Sequence, residues 1–192
     1  MEKILSTYNH GICLFSVNVL HSFLKREKIR SKKILDLFQK DMEKYLVSQQ
    51  EGVWLPLAQI NSGEYIIKVK DFDEDFGDEW EEKIEYEGFN LEVDDGIWIS
   101  DVGSLLTFNP SIFSGTENCF EDGDGTLLYS DFKYNISSGK YLVKVKGYAR
   151  KQLLGFPNAD YGFLFSFTRI EEFDGYKNPR EEQYDFNVAS MK

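Results

Sequence analysis

The chain is poor in the residues that most often carry chemistry or covalent reinforcement. Its 192 residues include two cysteines, two histidines and four prolines. Cys13 and Cys119 lie far apart with no C-x-x-C spacing, which excludes a disulfide-framed scaffold and a cysteine metal cluster. Two free thiols in a reducing cytosol are the simplest expectation, with a single bridge as the alternative. His10 and His21 form no H-E-x-x-H and no Cys/His cluster, so transition-metal chemistry is poorly served. No G-x-S-x-G, G-x-x-x-x-G-K-[ST] or G-x-G-x-x-G string occurs, which disfavours nucleophilic hydrolysis, nucleotide hydrolysis and dinucleotide binding. Long apolar runs are missing too. The stretch Ile12–Leu24 is interrupted by Ser16, Asn18, His21 and Ser22, and no basic n-region precedes it. It reads as neither a signal peptide nor a membrane span, so the expected location is cytoplasmic.

Positive charge is also scarce. Lys and Arg number 22 against 33 Asp and Glu, a formal charge of −11. Such a chain repels phosphate backbones and anionic membranes, so direct nucleic-acid and membrane partners are disfavoured. A basic protein partner is favoured, because complementary fields accelerate encounter; plain solubility is the competing explanation. The imbalance is not uniform. Residues 1–50 carry nine Lys/Arg against five Asp/Glu, whereas residues 51–192 carry 13 against 28.

What the chain has in quantity is apolar and aromatic residues, 42 % and 16 % respectively, with 16 Phe, 11 Tyr and 3 Trp. That composition excludes general disorder and suffices for a core without metal or disulfide support. In residues 1–50, Val17, Leu20, Phe23 and Leu24 recur at helical spacing. Ser31 is an expected N-cap, after which Ile34, Phe38, Met42, Tyr45 and Leu46 form one apolar stripe opposite Lys33, Lys40 and Lys44. From Val53 onward the period falls to two. Residues 65–70, 97–99, 104–108, 126–129, 141–148 and 161–170 read as strands, punctuated by Gly, Asn, Asp and Ser. The expected architecture is α+β. An N-terminal helical pair (1–50) packs on a mostly antiparallel β domain (51–192), a sandwich or an open barrel.

Ile60–Lys70 aligns with Ile136–Lys146 at an offset of 76, with seven of eleven positions identical. In both, a Ser-Gly turn opens an alternating strand. A duplicated β module, divided as 51–95 and 96–192, is one reading; two strands sharing the same turn chemistry is the other.

The densest feature is Asp71–Asp95, with thirteen carboxylates opposed in sequence only by Lys83. Phe72, Phe76 and Trp80 fall inside it at i, i+4, i+8, so a helical segment would dock the aromatics and point the acids outward. The candidate partner-binding residues are Asp73, Glu74, Asp75, Asp78, Glu79, Trp80, Glu81 and Glu82, with Phe72 and Phe76 as further anchors. A solvated acidic loop is the bland alternative. Neither Glu121–Thr126 nor Asp71-x-Asp73-x-Asp75 meets the spacing of a calcium loop, so no metal or other cofactor is expected.

The string Phe132-x-x-x-Ile136-Ser137-Ser138-Gly139-Lys140-Tyr141, preceded by Asp95-Gly96-Ile97-Trp98-Ile99 and the run to Phe108, resembles competence protein J. It is also similar to small immunity proteins of bacterial toxin systems. The resemblance covers residues 95–170 and implies a cytosolic, non-enzymatic inhibitor of a nuclease. The expectation is thus an immunity or inhibitor protein occluding a basic toxin, with a nuclease as target. An aromatic-rich β module that binds carbohydrate or another small ligand is the alternative.

Overall fold

The computed structural model describes residues 3–123, 125–155 and 158–191. Two strands come first, β1 (Lys3–Thr7) and β2 (Gly11–Phe15), followed by helices α1 (Val17–Arg26), α2 (Ile34–Lys40) and α3 (Met42–Gln50). Strands β3 (Trp54–Ala58), β4 (Gly63–Val69), β5 (Trp80–Val93) and β6 (Ile97–Asp101) come next. They are followed by β7 (Glu117–Glu121), β8 (Leu127–Tyr134), β9 (Gly139–Arg150) and β10 (Tyr161–Ile170). All ten strands belong to one mostly antiparallel sheet, ordered β3-β2-β6-β8-β1-β4-β10-β9-β5, with β7 attached to β8. The two end strands come round to meet, where the Glu92 N–H donates to the Gly52 carbonyl (2.7 Å). The sheet is therefore a nearly closed barrel.

The N-terminal fifty residues are corrected in one respect: the helices are preceded by β1 and β2, which lie well inside the sheet. Ile12–Phe15 is a continuous apolar run because β2 is buried on both faces. Ile12 and Leu14 face the barrel core, while Cys13 and Phe15 pack in a second core with Leu20, Phe23, Phe38, Tyr45, Trp54 and Trp98. A strand of that kind loses the alternation that would distinguish it from a helix. The Ile34–Leu46 stripe is likewise split. Asp41 ends α2 and caps α3, its side chain accepting from Lys44 N (3.1 Å), and Met42 is exposed. Ser31 does not cap the helix; its hydroxyl accepts from Lys33 N one turn earlier (3.1 Å). The expected strand at 104–108 is also absent. A 3-10 turn, Val102–Leu105, forms instead, because the Asp101 carboxylate draws in Gly103 N (2.5 Å).

The helices are fastened to the barrel by aromatic contacts and by the C-terminal segment. Phe38 stacks on Trp54 (5.2 Å, 16°), whose indole N–H donates to Ser48 Oγ (3.0 Å). The Arg180 guanidinium covers Tyr45 (3.9 Å) and donates to the Phe38 carbonyl (3.1 Å). A cation over a desolvated ring contributes on the order of 1–2 kcal/mol.

The strand pairing repeats itself. β1 pairs with β4 and β2 with β3; β5 pairs with β9 and β6 with β8, all antiparallel. The registers match residue for residue. Leu5 lies opposite Tyr65 as Leu91 lies opposite Tyr141, and Thr7 opposite Gly63 as Val93 opposite Gly139. Ile12 lies opposite Leu57 as Ile97 lies opposite Tyr134. The Ser-Gly strand starts agree in detail: the Tyr65 hydroxyl donates to the Asn61 carbonyl and the Tyr141 hydroxyl to the Ser137 carbonyl, both at 2.8 Å. Because β2 and β6 pair antiparallel with each other, an approximate two-fold between them exchanges the halves Lys3–Val69 and Trp80–Arg150. β10 stands between β4 and β9, parallel to the first and antiparallel to the second. The charge shift at residue 51 falls inside the first half, between α3 and β3.

The seam between β3 and β5 depends on a glycine. Gly52 has φ +66°, and a Cβ there would sit 2.9 Å from the Leu91 and Glu92 nitrogens. Gly52→Ala is expected to cost at least about 1–3 kcal/mol in urea unfolding, from a left-handed backbone and a backbone clash together. Gly123→Ala, in open space, is the neutral control.

Candidate functional site

The acidic segment is not a helix. Residues 70–79 form a loop and the rest is mostly β5, because the acids at Glu81, Glu85 and Glu87 follow strand alternation rather than a helical period. Phe76 docks the loop on the outer sheet face, stacked on Tyr148 (4.4 Å) and edge-on to Trp80 (4.8 Å). It packs over Gly162, where a Cβ would come within 2.5 Å of its ring. Trp80 is buried beneath the Arg150 guanidinium (4.3 Å) and donates its indole N–H to Glu79 (3.1 Å). These two aromatics fix the loop and are not free to anchor a partner. Phe72 is half exposed, with one edge on Tyr134.

The carboxylates divide into two sets. Asp73 is an internal knot, accepting from Val69 N (2.9 Å) and the Tyr134 hydroxyl (3.1 Å). Burial and the Asp73 carboxylate push the Tyr134 phenol well up. Asp75 pairs with Lys70 (2.8 Å), Glu81 with Lys83 (2.8 Å) and Glu82 with Lys146 (2.9 Å). Lys144 bridges Glu85 and Glu87, and Lys146 also reaches Glu85 (2.7 Å). The outer face of β5 and β9 is therefore a cross-strand ladder of opposite charges. Of the eight sequence candidates, only Glu74 and Asp78 are exposed without a hydrogen bond or ion pair among the described residues. The lysines of the ladder were legible as Lys144-x-Lys146, spaced to match Glu85-x-Glu87, but their register across β5 and β9 was not.

A feature missed from sequence completes this surface. The β9–β10 loop abuts the acidic loop through Lys151 N donating to the Glu79 carbonyl (3.0 Å). It exposes Leu153 and Leu154, at 59 % and 55 %. Asp160 holds this loop by accepting from Leu154 N (2.8 Å) and Gly155 N (2.9 Å). The loop that exposes this apolar pair thus meets the loop that carries the unpaired carboxylates Glu74 and Asp78.

Burial pushes the Cys13 thiol well up, with Asp131 and Asp101 adding to the effect, so the thiolate needed for nucleophilic attack is suppressed. No three His, Cys, Asp or Glu side chains among the described residues converge as a metal site. The turn Glu121–Thr126 includes Asp124, which lies outside the described residues. No helix among the described residues is long and apolar enough to cross a membrane. An open cleft of about 720 Å³ is lined by Gln39, Arg180, Glu181, Glu182 and Tyr184 among others and offers one aromatic ring. Most of the large aromatics fill the two cores, and Tyr184 alone does not give this cleft the stacked platform that the sugar-binding alternative requires. No family model, curated protein or solved structure matches the chain, and its function is read from its own geometry.

The ladder makes stability depend on pH in a defined direction. Hydrogen bonds from Lys146 and then Lys144 lower Glu85 from 4.5 to about 2. A depressed carboxyl stabilises the fold above its unfolded value and loses that contribution as pH falls from 4.5 towards about 2. Glu85→Gln is expected to flatten the pH dependence of the melting temperature across that window. The difference is modest and shrinks in high salt, since Glu85 is 39 % exposed.

Proposed function

We propose that the protein is a non-catalytic inhibitor that covers a cationic site on a basic protein, a nuclease toxin being the class its resemblance to immunity proteins implies. The observation that carries this reading is the exposed Leu153–Leu154 pair on a loop that abuts the one carrying the unpaired Glu74 and Asp78. Apolar anchors rimmed by charge are how tight interfaces are built: the apolar centre holds the complex and the charged rim steers its approach. Both loops are braced from within, so little ordering entropy is lost on binding. Asp73, Asp75, Glu79, Trp80, Glu81 and Glu82 shape and support this surface. Glu74 and Asp78 meet the cationic partner, as phosphate oxygens would at a nuclease site.

Growth rescue tests the reading. Co-expression with basic nuclease toxins of the source cell is expected to restore growth for the one cognate toxin and to block its nuclease activity in vitro. With that toxin, Glu74→Lys with Asp78→Lys is expected to slow association roughly tenfold at low salt and little at high salt. Leu153→Ala with Leu154→Ala is expected to speed dissociation instead. Rescue that is unaffected by either double variant, or no inhibition of any such nuclease, overturns the proposal.

A further inference from the structure

The two-fold relation between the halves creates two equivalent clefts, one beside each hairpin turn. The first, about 410 Å³, is lined by Asn18, Arg26, Val53, Glu92 and Asp94 among others. The second, about 320 Å³, is lined by Ser6, Tyr8, Asp101, Gly103, Phe120 and Ser130 among others. The registers that equate Thr7 with Val93 and Ile12 with Ile97 place Ser6 where Glu92 stands, Tyr8 where Asp94 stands and Gly103 where Asn18 stands.

Their chemistry differs in one respect. In the first cleft the chain supplies its own cation. Arg26 pairs with Glu51 and with Glu27 (3.2 Å), and its guanidinium lies 5.3 Å over the Phe23 ring. The second cleft has two rings and the Asp101 carboxylate, and no cation among its described lining residues. Tyr8 and Phe120 stand 6.0 Å apart and tilted by 58°, at 53 % and 43 % exposure. Asp101 is buried in the floor, its carboxylate held by Tyr8 N (2.8 Å), Asn9 N (3.2 Å) and Asn9 Nδ2 (2.8 Å). Glu64 and Asp122 lie close enough to the Tyr8 hydroxyl to add to the rise that burial causes in its pKa. None of Glu64, Asp101 and Asp122 forms an ion pair among the described residues.

We propose that this second cleft receives an arginine side chain from a basic protein, its guanidinium seated against the Tyr8 and Phe120 rings within the field of these carboxylates. Arginine is the fitting cation, because its planar, weakly hydrated guanidinium stacks on aromatic faces while lysine remains a hydrated point charge. The occupant takes the role that Arg26 fills in the equivalent cleft. The cleft lies at the opposite end of β4 from the acidic loop, because Gly63 pairs beside Thr7 while Val69 leads into residue 70. It is therefore a second contact region, and it does not rest on the inhibitor reading.

Titration of the ¹⁵N-labelled full chain with the peptide Ac-Gly-Arg-Gly-NH2 tests the site. Saturable shifts are expected at the amides of Tyr8, Asn9, Gly103 and Phe120. The same peptide with citrulline, neutral and of the same shape, is expected to leave them still. Tyr8→Ala and Phe120→Ala, both at exposed positions, are each expected to weaken binding by roughly fivefold, with the remaining spectrum confirming the fold. Leu127→Ala, another exposed apolar position, is expected to bind as the parent does. Equal binding of the citrulline peptide, shifts confined to residues 71–79, or unchanged affinity in both aromatic variants overturns the assignment. Those outcomes leave the inhibitor reading standing, since that is measured at Glu74, Asp78, Leu153 and Leu154.

Discussion

β2 and β6 run antiparallel at the centre of the barrel, and each closes the other half's turn. Asp101, at the end of β6, holds the amides of Tyr8 and Asn9 in the β1–β2 turn. Ser16, just past β2, accepts from Asp94 N (3.0 Å) and donates to the Asp94 carbonyl in the β5–β6 turn. Both turns contain a non-glycine residue in the left-handed region, His10 at φ 57° and Asp95 at φ 61°. Such residues cost on the order of 1 kcal/mol each and persist where their surroundings over-determine them. The reciprocal clasp supplies that constraint, so one antiparallel pair sets both hairpins, and with them the entry of β1 and β5 into the rest of the sheet. The clefts beside those turns follow from the same geometry.

Electrostatics acts on this frame at two scales. The ladder on β5 and β9 neutralises much of the acidic run locally. Exposed pairs of this kind contribute about 0.2–1 kcal/mol each, too little to explain the fold but enough to favour one register over its neighbours. What the ladder does for recognition is subtraction. It removes Glu82, Glu85 and Glu87 from the free field and leaves Asp71, Glu74 and Asp78 of the acidic loop as unpaired charge. Screening over about 8–10 Å at physiological salt means that a partner close to this surface senses those nearby charges more than the chain's total of −11. Net charge sets the sign of the far field, and the pairing pattern sets where it is strongest close to the surface.

The strand most fully legible in the sequence by alternation is β9, where polar and apolar residues take turns. β10 was read at its full extent although Gly162–Phe165 is buried throughout, because its aromatic run is long and bounded by turn residues. The Ser-Gly-x-Tyr starts of β4 and β9 were visible as a repeat. β1 and β2 were not read as strands, β2 because burial on both faces erases its alternation, and β3 escaped for the same reason, with Trp54 in the helical core and Leu55 and Leu57 in the barrel. The acidic loop was located correctly as a dense run, but its internal use was hidden. The bonds of Asp73 to Tyr134 and of Glu82 to Lys146 span sixty residues or more, and no local pattern encodes them. Leu153 and Leu154 went unremarked because two adjacent leucines carry no sign of exposure until the loop around Asp160 is closed.

Near-symmetry in the strands does not extend to what lies between them. Between β2 and β3 the chain builds three helices; between β6 and β8, the equivalent positions, it builds two short 3-10 turns and β7. These insertions roof the two clefts, so the barrel sets where each cleft lies and the insertion sets its chemistry. α1 carries Arg26 over the first cleft, where it pairs with Glu51. β7 carries Phe120 to the second and brings no base, leaving two exposed rings over a buried carboxylate. Exposed aromatics cost little when isolated, but a ring pair beside unneutralised acids forgoes both apolar burial and charge pairing. A cationic side chain from outside restores both at once, and Arg26 between Phe23 and Glu51 in the first cleft is the internal precedent for that arrangement.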